Sequence, residues 1–138
     1  MDRPTFPAIY LALARALAQR STCEVEPVGT VITSVDFRKV LAIGYRGNAS
    51  GLRNGCDVRG DGTQPCGCLH GEENAVIQCD APRSEPKIVV SSKLPCRACA
   101  KRLINLGGVQ DVYFPFQPGG EDVVDLLASV GIRTHVLE

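Results

Sequence analysis

The chain has no tryptophan and few aromatic residues of any kind, three Tyr and four Phe in 138 residues. So sparse a set supplies no platform of aromatic and basic side chains of the sort that holds single-stranded nucleic acid. An excess of one charge is missing too: 15 Lys and Arg balance 15 Asp and Glu. With no long basic run, bulk electrostatics give no tight hold on duplex nucleic acid, and only a local basic patch stays open as a route to it. Long apolar runs are lacking. The longest near the start, Ala8 to Ala18, is broken by Arg15 and is too short to cross a bilayer, so neither a membrane span nor an export leader is expected. Internal repeats and low-complexity tracts are absent as well.

What remains is an ordinary globular composition, 44% hydrophobic and 22% charged. Its length suits one domain, 1–138, with a proper core. Seven Cys without a leader point to a reducing, cytoplasmic setting and to metal ligation rather than disulfides.

Pattern and punctuation predict nine elements. Thr5 can cap a helix that Pro7 suits in its first turn, and Pro7 to Arg20 is apolar on most faces, fit to pack on a sheet and against another subunit. Val28 to Val35 and Lys39 to Tyr45 read as strands joined by a turn at Asp36-Phe37-Arg38, hence a hairpin. From Arg46 to Leu69 periodicity vanishes. Six Gly, one Pro and three Cys fill that segment, and a loop so long needs a reason. Gly71 to Cys79 reads as a helix with Glu72 and Glu73 in its first turn, Lys87 to Ser91 as a buried strand, and Cys96 to Leu106 as a helix closed by Gly107-Gly108. Val109 to Phe116 is a strand, Gly120 to Val130 a helix, and Ile132 to Leu137 the last strand. The order α-β-β-α-β-α-β-α-β predicts an α/β fold of three layers, α/β/α, around a mixed five-stranded sheet.

Two short motifs carry chemistry, each where a helix should begin. His70-Gly71-Glu72 offers one imidazole and one carboxylate. Pro95-Cys96-Arg97-Ala98-Cys99 offers two thiols, 26 residues on from His70 to Cys96. A lone C-x-x-C reads equally as a redox pair or half of a structural zinc site. H-x-E followed by P-C-x-x-C is an established signature of zinc nucleobase deaminases. Zinc held by three protein ligands, here His70, Cys96 and Cys99, keeps one position for water and brings that water's pKa toward about 7. Such a site suits hydrolysis at an amidine carbon bearing an exocyclic amine, with Glu72 close by to carry protons to the ring nitrogen and the leaving ammonia. The competing reading is a structural zinc beside an ordinary first-turn carboxylate, but structural sites usually recruit a fourth protein ligand.

Element order and motifs together resemble the cytidine deaminase superfamily, and within it the deoxycytidylate (dCMP) deaminase branch, over about Arg20 to Val130. Ser21-Thr22-Cys23 is similar to that branch's start after the first helix. Gly44-Tyr45-Arg46-Gly47-Asn48-Ala49-Ser50-Gly51 resembles its G-Y-N-G-x-P-x-G loop. His70-Gly71-Glu72-Glu73-Asn74-Ala75-Val76 is similar to H-A-E-x-N-A-I, and Ser91-Ser92-Lys93-Leu94-Pro95-Cys96-Arg97-Ala98-Cys99-Ala100-Lys101 to V-T-x-x-P-C-x-x-C-A-K. The resemblance implies a catalytic zinc on His70, Cys96 and Cys99, Glu72 as proton carrier, and a base lined by the backbone around Ser91 and Ser92. It implies a homo-oligomer, often a hexamer in such families, and control by dCTP and dTTP in many members. Arg46 and Ala49 depart from the loop's Asn and Pro. Arg46 suits bidentate phosphate recognition or, equally, is a solvated loop residue. Gly71 stands where the pattern has Ala.

Some members of that branch hold a second, structural zinc. The resemblance sets Cys23, Cys56 and Cys68 at its ligand positions, and Cys66 would be the fourth, giving one catalytic and one structural zinc per chain. The other reading is free thiols or small core residues. Cys79 follows the helical pattern into the core, and His135 reads as a structural histidine. The expected activity is hydrolysis of a cytosine nucleotide, dCMP to dUMP. Rivals are the same chemistry on a modified cytosine nucleotide, a free nucleoside or a guanine-type base, and a non-catalytic zinc binding module, which would have no need of Glu72.

Overall fold

The computed structural model describes residues 2–57 and 66–137. It contains α1 (Phe6–Ala18), β1 (Gly29–Ser34), β2 (Val40–Tyr45), α2 (Gly71–Gln78), β3 (Lys87–Ser91), α3 (Arg97–Leu106), β4 (Val109–Pro115), α4 (Glu121–Ala128) and β5 (Arg133–Leu137). This is the expected order. The strands lie as β2-β1-β3-β4-β5. β1 runs antiparallel to both β2 and β3, while β3, β4 and β5 run parallel. The sheet is mixed because a tight turn at Phe37, whose φ is +64°, returns the chain directly from β1 to β2. The later strands are reached through α3 and α4, and a helical crossover makes neighbours parallel.

Helices cover both faces. On one, Ile32, Val89, Val112 and Phe114 of the sheet pack with Ala75 of α2, Ala100 and Leu103 of α3, and Val123 and Leu127 of α4. On the other, Leu11 of α1 meets Ile88 and Val90, with Tyr10, Phe37, Tyr113 and Leu137 at the margin. β3 is the central strand, and all five of its residues are buried. The helix ends fall short of the pattern: α4 stops at Ala128, not Val130, because Ser129 to Gly131 turn the chain back toward β5. Thr5 caps α1, accepting from the Ala8 amide at 3.2 Å. Cys79 ends α2, partly buried against the core. His135 bonds Asp111 at 2.8 Å and stacks on Tyr113 at 4.4 Å, which makes it structural. Of the loop expected from Arg46 to Leu69, positions 58–65 lie outside the described residues. No helix among the described residues is long and apolar enough to cross a membrane.

Two contacts fix the end of the sheet that carries the motifs. A Cβ on Gly44 of β2 would lie 2.4 Å from both the Ala75 amide and the Gly71 carbonyl of α2, so the helix rests directly on backbone. The Asn74 side chain then donates to the Tyr45 carbonyl at 2.9 Å.

The opposite end is tied by Lys87, which has no solvent exposure. Its ammonium donates to the carbonyls of Pro82, Glu85 and Gly107 at 2.8, 2.9 and 2.8 Å, joining the loop before β3 to the end of α3. Lys87→Met keeps the apolar stem and strands three carbonyls. Hydrogen bonds to charged groups are worth about 1.5–3 kcal/mol each, so the variant should lose about 3 kcal/mol or more. Urea unfolding should show a lower midpoint at unchanged slope.

Candidate metal centre and cleft

The two motifs meet because each ends a loop at the start of a helix on the same sheet face. His70 is the residue before α2 and Cys96 the residue before α3, both extended at ψ 158° and 169°. His70 Nδ1 lies 3.5 Å from Cys96 Sγ and 3.3 Å from Cys99 Sγ. With metal–nitrogen bonds of about 2.0–2.1 Å and metal–sulfur bonds of about 2.3 Å, a tetrahedral zinc sets nitrogen and sulfur about 3.6 Å apart. The three ligand atoms therefore fit zinc and leave one corner free.

Glu72, in the first turn of α2, is only 4% exposed. Burial pushes its carboxyl above the ordinary carboxylate range, and hydrogen bonds from its own backbone and from Ser91 pull against that. The Ser91 hydroxyl donates to Glu72 Oε1 at 2.9 Å. Burial also pushes the Cys99 thiol up, reinforced by the nearby Glu72 charge. A divalent cation among these groups reverses both tendencies, since it favours thiolate and carboxylate.

Four more sulfurs gather beside this centre. Cys23 Sγ is 3.9 Å from Cys56 Sγ and 3.7 Å from Cys66 Sγ, and Cys68 Sγ is 3.8 Å from Cys56 Sγ. All four ligand atoms lie within 4.8 Å of one another, and none is in a disulfide. A zinc tetrathiolate has sulfur–sulfur edges of about 3.8 Å, so this donor set also fits the ion. Burial pushes the Cys66 thiol up, but the Arg46 guanidinium 3.5 Å away and neighbouring bonds bring it down to about 6. Burial pushes Cys68 up. Four adjacent thiolates repel, and the set ionises fully only around a cation.

A cleft of about 370 Å³ opens over His70 and Glu72, walled by Arg46, Lys93 and Gln117, with Glu26 at its side. It sits past the carboxyl end of β3, the usual place for a ligand in an open α/β sheet. Arg46 faces both ways: it lines the cleft and donates to Cys66, while its buried Nε has no partner among the described residues. Neither Ser91 nor Ser92 is among the cleft-lining residues. Ser91 is fully buried, and the Ser92 hydroxyl accepts from the Gly29 amide at 3.0 Å.

Sequence reasoning missed Glu26, Lys93 and Gln117 in the cleft wall, for no local pattern marks them. It also missed Arg102, whose spacing could have found it, three residues after Cys99 on one helix face. Arg102 Nε lies 3.3 Å from Glu73 Oε2, and its terminal nitrogen 3.9 Å from Cys99 Sγ. Glu73 Oε1 in turn accepts from the His70 amide at 2.9 Å. One cation thus joins the two ligand-bearing helices.

A family profile described as "Cytidine and deoxycytidylate deaminase zinc-binding region" matches residues 6–115. The deoxycytidylate deaminase of Mycobacterium phage D29 is 33% identical over 128 residues, 83% of this chain and 98% of that protein. That of Saccharomyces cerevisiae is 31% identical over 142 residues, 96% of this chain but 45% of that protein, so the chain spans less than half of the yeast relative. The crystal structure of dCMP deaminase from cyanophage S-TIM5 in complex with dCMP and dUMP matches with a TM-score of 0.83 at 25% identity, covering 99% of this chain and 100% of that one.

Outer-shell partners of metal ligands typically govern 10- to 100-fold in affinity. Arg102→Ala should therefore weaken zinc retention about tenfold in competition with a chromophoric chelator. Unchanged retention would reduce Arg102 to a surface ion pair.

Proposed function

This chain belongs to the cytidine and deoxycytidylate deaminase family, and from that premise we propose that it hydrolyses a cytosine nucleotide, dCMP to dUMP with release of ammonia. The observation that carries the reading is the buried carboxylate of Glu72 on the floor of a cleft of about 370 Å³, next to three ligand atoms spaced for zinc. The phage relative of nearly the same length and the S-TIM5 structure with dCMP and dUMP point to the same substrate.

His70, Cys96 and Cys99 would hold the catalytic zinc. When bound there, zinc supplies a water made acidic enough to attack at neutral pH. Glu72 would take a proton from the attacking water and deliver it to the ring nitrogen N3. It then carries the second proton to the departing amine. The C4–N bond breaks as the C4–O bond becomes a carbonyl, so water and cytosine yield uracil and ammonia. Arg46 and Lys93, cationic and in the cleft wall, are candidates to meet the 5′-phosphate. The backbone around Ser91 and Ser92, at the end of β3, would border the base. Cys23, Cys56, Cys66 and Cys68 would hold a second, structural zinc that clamps the glycine-rich loop beside the cleft. Exposed Phe6, Ile9 and Leu13, on one face of α1, support a homo-oligomer. Seven unpaired cysteines suit a cytoplasmic setting.

One observation favours a second reading. Glu26 brings a carboxylate into the cleft wall, 3.5 Å from the Lys93 ammonium. A negative charge there opposes a phosphate and suits an unphosphorylated nucleoside or a modified base.

Ammonia release from dCMP, CMP, deoxycytidine, 5-methyl-dCMP and guanine separates the readings. Turnover of dCMP but not deoxycytidine, lost in Glu72→Ala, is expected. Turnover confined to unphosphorylated substrates would overturn the nucleotide assignment and keep the chemistry. Elemental analysis of metal-replete protein should give two zinc ions per chain, and a value of one would remove the structural site.

A further inference from the structure

The cleft carboxylate has a support that lies outside both metal motifs. Thr30 of β1 and Ser91 of β3 are directly opposed in the antiparallel ladder, and both are fully buried. The Ser91 hydroxyl donates to Glu72 Oε1 at 2.9 Å, and Thr30 Oγ1 lies 3.2 Å from Ser91 Oγ. A serine hydroxyl has one proton. With it committed to the carboxylate, the Thr30 hydroxyl must be the donor to Ser91. The result is a directed chain of hydroxyls from β1 through β3 to the carboxylate.

Two departures of this sequence from the family pattern meet at the same spot. Ser91 stands where the pattern has Val, and Gly71 where it has Ala. A Cβ on residue 71 would lie 3.0 Å from the Val28 carbonyl oxygen and 3.2 Å from Thr30 Oγ1, tighter than ordinary packing. Gly71 leaves room for the hydroxyl that orients Ser91.

A proton carrier needs a neighbour that suits it both with and without the proton. A carboxylate only accepts, whereas a carboxylic acid also donates, and a hydroxyl can answer either. When Glu72 holds the proton, Ser91 can accept from it and turn its own hydrogen toward Thr30 Oγ1, or toward the Gly29 carbonyl at 3.5 Å. A valine offers neither bond. The Ser91 hydroxyl is committed to Glu72 and does not line the cleft, so the side chain acts through Glu72 and not on the substrate.

We propose that Ser91, oriented by Thr30, is a positioning residue that holds the Glu72 carboxylate in one rotamer through both proton transfers. This rests on the reading of Glu72 as the proton carrier.

The test uses zinc-loaded full-length protein and two isosteric variants, Ser91→Thr and Ser91→Val, which differ only in the hydroxyl. Misplacing a catalytic group can cost about 100-fold. Ser91→Val should lose about 10- to 100-fold in kcat on dCMP with KM changed less than about twofold, while Ser91→Thr stays within about threefold of wild type. Both should keep the wild-type zinc content and melting temperature. Equal kcat for the two variants overturns the proposal.

A second arm needs no turnover, so it decides on Ser91 even where dCMP is not the substrate. In protein labelled with carboxyl-¹³C glutamate, the Glu72 signal is identified by its loss in Glu72→Gln. It should move in Ser91→Val and hold in Ser91→Thr, and a signal unmoved in Ser91→Val overturns the proposal. Should neither variant fold, Thr30→Val takes their place: a moved signal with reduced kcat supports the chain of hydroxyls, and no change in either overturns it.

Discussion

A single methyl on residue 44 would sit 2.4 Å from the backbone of α2, inside any permitted contact. The reactive end of the molecule depends on that bare stretch of β2. Only over glycine can the first turn of α2 lie flat against the sheet, and only there does His70 come within 3.3 Å of Cys99 on the neighbouring helix. Asn74 holds the approach from the side by bonding the Tyr45 carbonyl. Both ligand-bearing loops end in helix starts, so their side chains are aimed by regular structure and by the hydrogen bonds of Glu73 and Arg102.

The four-cysteine cluster and the cleft share a wall. Cys23 leaves α1, Cys56 and Cys66 belong to the glycine-rich segment, and Cys68 sits two residues before His70. A segment so rich in glycine has little apolar area with which to offset its conformational entropy. The sulfurs give it a fixed point, and the bridge from Gly47 to Leu69 gives it another. Arg46 spans the two regions, with its guanidinium on Cys66 and its side chain in the cleft wall. The Arg46 charge is therefore partly spent on a thiol, and Glu26 adds a carboxylate to the same cleft wall.

Element order was legible in the sequence because the signals were strong and local: the β-branched run Thr30 to Thr33 in β1, the short apolar run Ile88 to Val90 in β3, and Gly107-Gly108 after α3. Helix ends were less legible, since the apolar spacing of α4 runs on to Val130 while Ser129 to Gly131 turn the chain toward β5. The candidate metal ligands were readable because zinc demands particular side chains at close spacing, and the structure brings those side chains together. The cleft wall was not. Glu26, Lys93 and Gln117 come from three separate segments, and the contact of the Ser91 hydroxyl with Glu72 joins residues 19 apart in the chain.

By itself the sequence determined the chemistry that could occur: the identity of the donors, a carboxylate two residues from the histidine, and the family to which they belong. Those features are written in short stretches, where covalent spacing fixes what lies near what. The tertiary structure alone decided which residues surround that chemistry. It set Thr30 opposite Ser91 through the register of β1 against β3, turned Arg46 toward Cys66, and brought Glu26 into the cleft. The physical reason is that strand register and helix approach are settled by packing over the whole sheet, and no local run of residues encodes them.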